Sequence, residues 1–399
     1  MKHFILMNIF NILSLIMIVS ACNETSPKVK VISKIVINDS AVFNEYHQKV
    51  SAFMDAALLS KGFNGSILIS KNDTIVCEKY SGHVDLRKKD PITETTSMQL
   101  ASASKTFTAV AILKMIEDHK LSINDSLTKF FPGFPYPGIT VRMLLCHRSG
   151  LPNYLYFISK NIWDQKKYVT NQDVLNLLFT QKPARYFPPD TRFRYCNTNF
   201  VLLALIIEKM SGESFPEYMK RFFFEPLQMD HTYVYTLADS AFSTPSFNYN
   251  NRFWANDFLE LTYGDKNIYS TPRDLFKWSK ALFSGKIISN AMLDSAFTLQ
   301  SNTHKSLRKQ MPFIRNYGLG FRILLMQDGR KIVYHFGRWH GFNAAFARLL
   351  NENVTIIILG NKFHRSIYNV ARLSYDLFGN YFHRAGDDEE ESEGKSPFK

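Results

Sequence analysis

The stretch QLASASKTFTAVAILKMI, residues 99–116, decides the fold. From residue 103 onward it is apolar on nearly every side, a pattern typical of a helix buried in a protein core. Ser102 and Lys105 stand three positions apart at the beginning of this helix and therefore share one face, whereas the adjacent Ser104 and Lys105 diverge by about 100°. Helical spacing thus selects Ser102 as the serine that Lys105 can reach.

A serine within reach of a buried lysine has the two groups that a nucleophile and its general base require. Free backbone N–H groups and the helix dipole favour negative charge at a helix N-terminus, which suits the oxyanion of an acyl-transfer reaction. A lysine with its ordinary pKa of about 10.4 is a poor base at neutral pH, but burial and the dipole both lower that pKa. Taken alone, the same S-x-x-K spacing also fits a capping serine beside a lysine that reaches solvent.

Two further motifs stand far along the chain from this pair. Tyr195 and Asn197 open a second apolar helix in RFRYCNTNFVLLALIIEKMSG, and His335 and Gly337 end a predicted strand in YHFGRWHGFN. Separately, these motifs fit a helix cap and a strand edge. Their order, and their positions at a helix start and a strand end, make a chance coincidence with the Ser102 and Lys105 pair hard to accept.

Predicted strands come from both ends of the chain. Turn residues separate three pairs of strand-like segments, which predict three hairpins: GSILIS with TIVCEKY, GFRILLM with KIVYHFG, and FNAAFARLL with VTIIILGN. A helix is predicted over residues 44–63 and a closing helix over residues 364–378. The predicted fold class is α/β (α+β): a twisted antiparallel sheet from the N- and C-terminal segments, flanked by helices, with a mainly helical domain inserted at about residues 106–261. The cleft between the two parts is the expected site.

The N-terminus has the pattern of an export signal. Lys2 precedes an apolar run at residues 4–19, which is shorter than the ~20 residues that a membrane-spanning helix needs. The run ends in VSAC, which resembles a bacterial lipobox and predicts cleavage before a lipid-modified Cys22. We therefore expect a signal peptide at residues 1–21, a linker at 22–40 and a membrane-anchored lipoprotein of the bacterial cell envelope. A non-lipidated signal peptide or an uncleaved anchor is the alternative.

Composition and charge narrow the remaining possibilities. The formal net charge is +13, and without the signal peptide, which holds one lysine and no acid, it would be +12. An exported protein without a nucleic-acid-binding motif is not expected to bind nucleic acid. Cys77, Cys146 and Cys196 have neither disulfide-framework nor zinc-site spacing, so buried free thiols are expected. A catalytic domain is predicted at residues 41–385, followed by an acidic, disordered tail at 386–399.

The sequence resembles the serine β-lactamase-like hydrolases, a group that includes class C β-lactamases, D,D-peptidases of similar architecture and related esterases. Three motifs carry the resemblance: S-x-x-K as SASK (102–105), Y-x-N as YCN (195–197), and K-T-G or H-x-G as HFG (335–337). Similar stretches such as ITVRMLLCHRSGLPNY extend the resemblance over nearly all of residues 60–380.

The resemblance implies roles for the three catalytic candidates. Ser102 would attack a carbonyl carbon and form an acyl-enzyme. Lys105 would take the serine proton, alone or together with Tyr195, whose phenol would then protonate the leaving group or orient the deacylating water. No metal or organic cofactor is implied, and no H-E-x-x-H motif of a metallohydrolase is present in the sequence.

The resemblance also implies a substrate-binding set around the third motif. Asn197 would hold Lys105 and a substrate amide, and His335 would position the substrate, with Gly337 completing the motif. The backbone N–H groups of Ser102 and Arg338 would form the oxyanion hole. A small-molecule or peptide acyl substrate is expected, for which a peptidoglycan stem peptide is one candidate.

The third motif departs from the form that suits carboxylate recognition. Lysine and threonine there supply a charge and a donor, whereas His335 is only partly charged near neutral pH and Phe336 has no donor. The Arg338 side chain is one possible replacement for the missing charge. An esterase or amidase is therefore the leading prediction, a D,D-peptidase is second and a true β-lactamase third. A catalytically silent binding lipoprotein with the same fold is the competing class.

Three further positions carry structural expectations. His147 is expected to make hydrogen bonds in the core. Cys196 is expected to be a small buried filler, with a reactive thiol at the cleft as the alternative. Asn267 stands where the family often has glycine, and asparagine tolerates a positive φ better than most residues.

Overall fold

The computed structural model describes residues 39–159, 161–302 and 313–381. The described helices are α1 Ser40–Ala57, α2 Lys105–Glu117, α3 Leu127–Phe130, α4 Val141–Leu145, α5 Tyr154–Phe157, α6 Asn171–Gln181, α7 Asn197–Ser211, α8 Phe215–Met219, α9 Pro272–Phe283, α10 Asn290–Ala296 and α11 Ile367–Leu373. The described strands are β1 Gly65–Lys71, β2 Thr74–Ser81, β3 Met98–Gln99, β4 Tyr233–Val234, β5 Ser246–Phe247, β6 Phe253–Trp254, β7 Ile268–Ser270, β8 Ser301–Asn302, β9 Phe313–Tyr317, β10 Arg322–Met326, β11 Lys331–Trp339, β12 Phe342–Leu349 and β13 Val354–Gly360.

One antiparallel sheet joins the two ends of the chain. Its strand order is β2-β1-β13-β12-β11-β10-β9-β8, with eight strands among the described residues. The N-terminal hairpin enters the sheet through β1, which pairs with β13 so that Ile67 lies opposite Ile358. All three predicted hairpins are present, and the predicted fold class is confirmed.

The central strands are buried on both faces. Along β13, Ile356 and Ile358 pack into the cluster that holds Val50 of α1 and Tyr368 of α11. The alternate residues of β13 pack into the other cluster, which contains Phe107 of α2 and Trp278 of α9. Since successive side chains of a strand point to opposite faces, the sheet separates α1 and α11 from α2, α9 and the inserted region.

Helix boundaries differ from the prediction where capping decides them. α1 begins at Ser40, four residues before the predicted start, because the Asp39 carboxylate accepts hydrogen bonds from the backbone N–H groups of Ala41 and Val42. The closing segment divides into α11 and a 3₁₀ turn, Ser374–Leu377. The predicted signal peptide, nearly all of the linker and the acidic tail lie outside the described residues, and Cys22 lies there too.

Short strands in and beside the inserted region were not predicted from the sequence. β3, β7 and β4 form a small sheet, and β5 with β6 forms a two-stranded hairpin. These strands have two or three residues each, which is too short to show an alternating pattern. Within the described parts of the chain, no helix is both long enough and apolar enough to cross a membrane.

Candidate active site

The predicted nucleophile lies in a tight turn directly before α2. Ala101–Ser104 is a 3₁₀ helix, in which side chains three residues apart eclipse one another. Ala101 has a φ of +47°, a conformation that costs energy for a residue with a side chain and occurs often at functional sites. The turn therefore presents Ser102 on the same side as Lys105, as the spacing predicted, although α2 itself begins only at Lys105.

Lys105 is fully buried and bonded to the serine. Its Nζ donates to Ser102 Oγ at 3.1 Å and to the backbone carbonyl of Asp265 at 2.7 Å. Lys105 has no exposed surface, whereas Ser102 is partly exposed. The geometry places a hidden amine behind a hydroxyl that a substrate can reach, as a nucleophile and its base require.

Gly337 lets strand β11 lie directly against the nucleophile turn. A Cβ at Gly337 would lie 2.1 Å from the carbonyl oxygen of Leu100 and 2.9 Å from the backbone nitrogen of Ser102. Only glycine fits such an approach of two backbones. The third motif therefore brings the backbone of β11, with Arg338 as its next residue, beside the backbone of Ser102, as an oxyanion hole built from these two residues requires.

Tyr195 is nearly buried beside the lysine. The Lys105 Nζ lies 5.0 Å from the centroid of the Tyr195 ring, and the Arg322 guanidinium carbon lies 5.2 Å from the same centroid. Cations at these distances are attracted by the ring's electrons. The structure thus brings Ser102, Lys105 and Tyr195 together and adds a fixed charge, Arg322, that the sequence analysis did not single out.

His335 differs from its predicted state. It is fully buried, with Nδ1 bonded to the carbonyl of Phe336 at 2.8 Å and Nε2 to the Tyr317 hydroxyl at 3.1 Å. Burial and the positive charges of Arg322 and Lys105 hold the pKa of His335 well below its ordinary value. The expectation of a partly charged histidine near pH 7 is therefore wrong: this histidine is neutral, and Tyr317 lies against its Nε2.

Two further predicted substrate-binding residues are Asn197 and Arg338. Asn197 is buried as the first residue of α7, and the Asp265 carbonyl accepts a hydrogen bond from Lys105 Nζ at 2.7 Å. The expected bond between Asn197 and Lys105 stays a prediction. The Arg338 guanidinium lies over the Phe363 ring at 4.2 Å. Since Arg338 alternates with Gly337 along β11, its side chain points away from Ser102, and its predicted contribution is limited to the backbone N–H.

The structural expectations for the neighbouring residues are confirmed. His147 is buried, and its Nδ1 accepts the backbone N–H of Cys196 at 3.2 Å. The pKa of His147 is well below its ordinary value because of burial and, after it, the positive charges of Lys105 and Arg322. Burial raises the pKa of the Cys196 thiol to about 11, and Cys77, Cys146 and Cys196 are all free and buried. Asn267 has a φ of +71°.

Arg322, Tyr317 and Asp265 are the site residues that sequence reasoning missed. Arg322 of β10 is the cross-strand partner of both Tyr317 in β9 and Tyr334 in β11. The stretch GFRILLM predicted a strand, but no local pattern shows which residues pair across it. Asp265 acts through its backbone carbonyl. Because every residue has this group, the residue type at position 265 could not predict the role.

A separate cluster, outside the Ser102 and Lys105 site, has side chains of the types that bind metal ions. The ligand atoms of Asp257, Glu260 and His340 lie within 4.8 Å of one another. However, His340 Nε2 is 2.7 Å from Glu260 Oε1, and the Trp339 indole donates to the same oxygen at 2.7 Å. Although burial opposes it, His340 and the positive charge of Lys266 lower the pKa of Glu260. The carboxylate is therefore already satisfied by protein donors, and the residues fit a hydrogen-bonded ion cluster better than a metal centre.

Comparison with known proteins places the chain in a family. The model of the family described as Beta-lactamase matches residues 48–377. Penicillin-binding protein 4* of Bacillus subtilis (strain 168) is 33% identical over 337 residues, which cover 79% of this chain and 73% of that protein. Protein flp of Staphylococcus aureus (strain MRSA252) is 26% identical over 344 residues; these cover 80% of this chain but 63% of the relative's length.

A solved structure supports the same assignment at the level of fold. D-amino acid amidase from Ochrobactrum anthropi SV3, complexed with L-phenylalanine amide, superposes with a TM-score of 0.69 at 20% identity, covering 84% of this chain and 98% of that chain. At this identity the likeness concerns the fold alone. The family match over most of the chain decides the assignment: this chain belongs to the Beta-lactamase family of serine hydrolases.

Proposed function

We propose that this protein is a serine acyl hydrolase that forms an acyl-enzyme on Ser102, with Lys105 and Tyr195 transferring protons. The observation that carries the proposal is the 3.1 Å between Lys105 Nζ and Ser102 Oγ. A buried lysine costs free energy of desolvation, and that cost is understandable where the amine serves a reaction. The complete set of Ser102, Lys105 and Tyr195 in one place favours an active enzyme over a silent binding lipoprotein.

Acylation follows from this arrangement. Neutral Lys105 accepts the hydroxyl proton of Ser102 while Oγ forms a bond to the substrate carbonyl carbon. The carbonyl electron pair moves to the oxygen, where the N–H groups of Ser102 and Arg338 stabilise the negative charge. When the intermediate collapses, the bond to the leaving nitrogen or oxygen breaks, and the proton passes to that atom through Lys105 or the Tyr195 phenol.

Deacylation reverses the roles with water as the nucleophile. Water loses a proton to the Lys105–Tyr195 pair and attacks the ester carbon on Ser102. The second tetrahedral intermediate expels Ser102 Oγ, which regains its proton. The products are a carboxylic acid and the original enzyme, so atoms and charges balance without a cofactor.

An ester or amide of broad type is the leading substrate class. The third motif provides no charge toward Ser102, because His335 is neutral and Arg338 points to Phe363. Phe336 packs in the cluster on the other side of the sheet. A substrate is then recognised mainly by its acyl group and the oxyanion hole. The fold-level likeness to an amidase is consistent with this class.

A D,D-peptidase-like activity on cell-wall stem peptides is the second candidate, and one observation favours it. Arg322 provides a permanent charge 5.2 Å from the Tyr195 ring, and a guanidinium is well suited to bind the terminal carboxylate of a peptide. The penicillin-binding relative supports the same class. A β-lactamase proper is the third candidate, since a β-lactam also carries a carboxylate.

The predicted cellular location is part of the proposal. The lipobox-like VSAC motif supports a lipoprotein anchored through Cys22 and acting in the bacterial cell envelope. Fractionation of cells expressing the full chain tests this: the wild-type protein is expected in the membrane fraction, and Cys22→Ser should release it or leave it unprocessed. Equal membrane retention and unchanged mass in Cys22→Ser would contradict lipidation.

Hydrolysis assays test the enzymatic proposal. The lipid-free protein is offered p-nitrophenyl esters, D-amino acid amides, D-Ala-D-Ala peptides and a chromogenic cephalosporin, next to Ser102→Ala and the matched variant Ser104→Ala. We expect turnover of at least one ester or amide by wild type and Ser104→Ala, and none by Ser102→Ala. No turnover of any substrate by the folded wild type would favour the silent binding lipoprotein.

A further inference from the structure

A second buried lysine lies close to the catalytic pair without a role in the chemistry described above. Lys266 is 2% exposed, and its Nζ donates to the carbonyls of Leu259 at 2.8 Å and Thr262 at 3.1 Å and to the Tyr154 hydroxyl at 3.2 Å. It also lies 4.8 Å from the centroid of the Trp339 ring. Such a buried charge needs an explanation, because an apolar filling is often at least as stable.

Lys266 belongs to a chain of hydrogen bonds that ends at the residue holding Lys105. The Tyr154 hydroxyl accepts from Lys266 and donates to Asp265 Oδ2 at 2.8 Å. Burial and the negative charge of Asp265 raise the pKa of Tyr154 well above its ordinary value, so its phenol stays protonated and can donate. Asp265, 2% exposed, offers its backbone carbonyl to the Lys105 Nζ at 2.7 Å.

The segment that carries Asp265 is held rigidly between two helices. Thr108 of α2 donates to the carbonyl of Gly264 at 2.7 Å. A Cβ at Gly264, whose φ is +89°, would lie 2.4 Å from the carbonyl oxygen of Phe200 in α7. On the other side, Asn267 accepts from Gln99 at 2.8 Å. Asp265 is therefore fixed on both flanks, and the remaining freedom of its carbonyl is limited by the Tyr154 bond.

We propose that the Lys266–Tyr154–Asp265 chain is a positioning unit of the active site, which holds the Asp265 carbonyl against Lys105 and places one negative and one positive charge around the base. This inference rests on the proposed function. Asp265 Oδ1 has no hydrogen-bond partner among the described residues, so its negative charge is only partly satisfied by Tyr154. Its field acts on the Lys105 ammonium, which is bound to the same residue.

The other charged or titratable groups around Lys105 do not replace this pair. His147 and His335 are neutral because burial holds their pKa values well below the ordinary value. Tyr195 faces Lys105 with its ring, and Arg322, beyond that ring, is permanently charged. Removing the Asp265 charge should therefore favour neutral Lys105, whereas removing the Lys266 charge should favour its ammonium form.

The test measures the rate at which a fluorophosphonate labels Ser102, by intact mass, from pH 5 to pH 10. Asp265→Asn is expected to move the midpoint of the rate profile to lower pH, and Lys266→Met to higher pH, each by about 0.5 pH unit or more. Tyr154→Phe should slow labelling at pH 7 about tenfold by loosening the carbonyl. Tyr263→Phe is the matched control, because Tyr263 donates to the carboxylate of Glu208 at 2.7 Å in the same region; it should behave as wild type.

Opposite shifts are a signature that a purely structural role would not produce. Folded charge variants with the wild-type midpoint, or with shifts in the same direction, would overturn the inference. Where a charge variant does not fold, the labelling rate of Tyr154→Phe is the test. A rate equal to that of Tyr263→Phe would overturn the inference. Absence of labelling in the folded wild type would overturn the proposed function and this inference together.

Discussion

A methyl group on Gly337 would lie 2.9 Å from the backbone nitrogen of Ser102, closer than side-chain carbons approach real neighbours. The strand and the nucleophile turn are thus in direct backbone contact. Gly337→Ala must push them apart, and because a misplacement of about 1 Å can reduce a rate 100-fold, we expect at least that loss in the rate of Ser102 acylation. Circular dichroism should show an intact fold.

Gly329→Ala is the control for this substitution. Gly329 has a φ of +86° but nothing within 4 Å of the added Cβ. It should lose about 1 kcal/mol of unfolding free energy through backbone strain and keep the wild-type acylation rate. Equal acylation rates in Gly337→Ala and wild type would show that the contact does not position the nucleophile.

Arg322 is expected to discriminate between substrates. Hydrogen bonds to charged groups contribute about 1.5–3 kcal/mol, so Arg322→Gln should raise KM for a peptide with a free terminal carboxylate by about 10- to 100-fold. For a neutral p-nitrophenyl ester, KM should change less than about threefold, because that substrate carries no negative charge for Arg322 to bind. A parallel rise for both substrates would mean that Arg322 supports the fold rather than binds a carboxylate.

Protein stability should depend on pH through His335. Its pKa is far below 6.5 in the folded protein, so below that pH the unfolded chain binds a proton that the folded one does not. Stability is then complete above pH 6.5 and falls as the pH falls, by about 1.4 kcal/mol per pH unit for this histidine. Urea unfolding of His335→Gln at pH 7, 6 and 5 should show a slope reduced by that amount.

The exposed His231 offers a matched replacement for this experiment. The slope measured for His231→Gln is the reference for the loss of a histidine outside the core. His147 should retain its own contribution in both variants, because its pKa is also lowered by burial. A slope in His335→Gln identical to the wild-type slope would contradict the assignment of a neutral, buried His335.

The cysteines should be unreactive in the folded protein. Burial raises the pKa values of Cys146 and Cys196 to about 11 and also raises that of Cys77. A Cys22→Ser protein should therefore show no fast reaction with a disulfide reagent at pH 7.5, and all three thiols should react in urea. Rapid modification of Cys196 in the native state would revive the alternative of a reactive thiol at the cleft.

The features that the sequence predicts well are local ones. Each long hairpin combines alternation with a turn, and the pair Ser102 and Lys105 follows from helical spacing. By contrast, Arg322 reaches Tyr195 only through strand pairing, and the role of Asp265 belongs to a carbonyl that no residue type specifies. His335 was assigned the wrong charge because its burial depends on Tyr317 and on the packing of distant segments.

The most direct test of the central claim is where a fluorophosphonate attaches. Peptide mapping of the labelled wild-type protein should place the adduct on Ser102, with the adduct retained in Ser104→Ala and absent from Ser102→Ala. Lys105→Met, which keeps an unbranched side chain of similar length but has no amine, should label at least 100-fold more slowly at pH 7. An adduct that persists in folded Ser102→Ala would contradict Ser102 as the nucleophile.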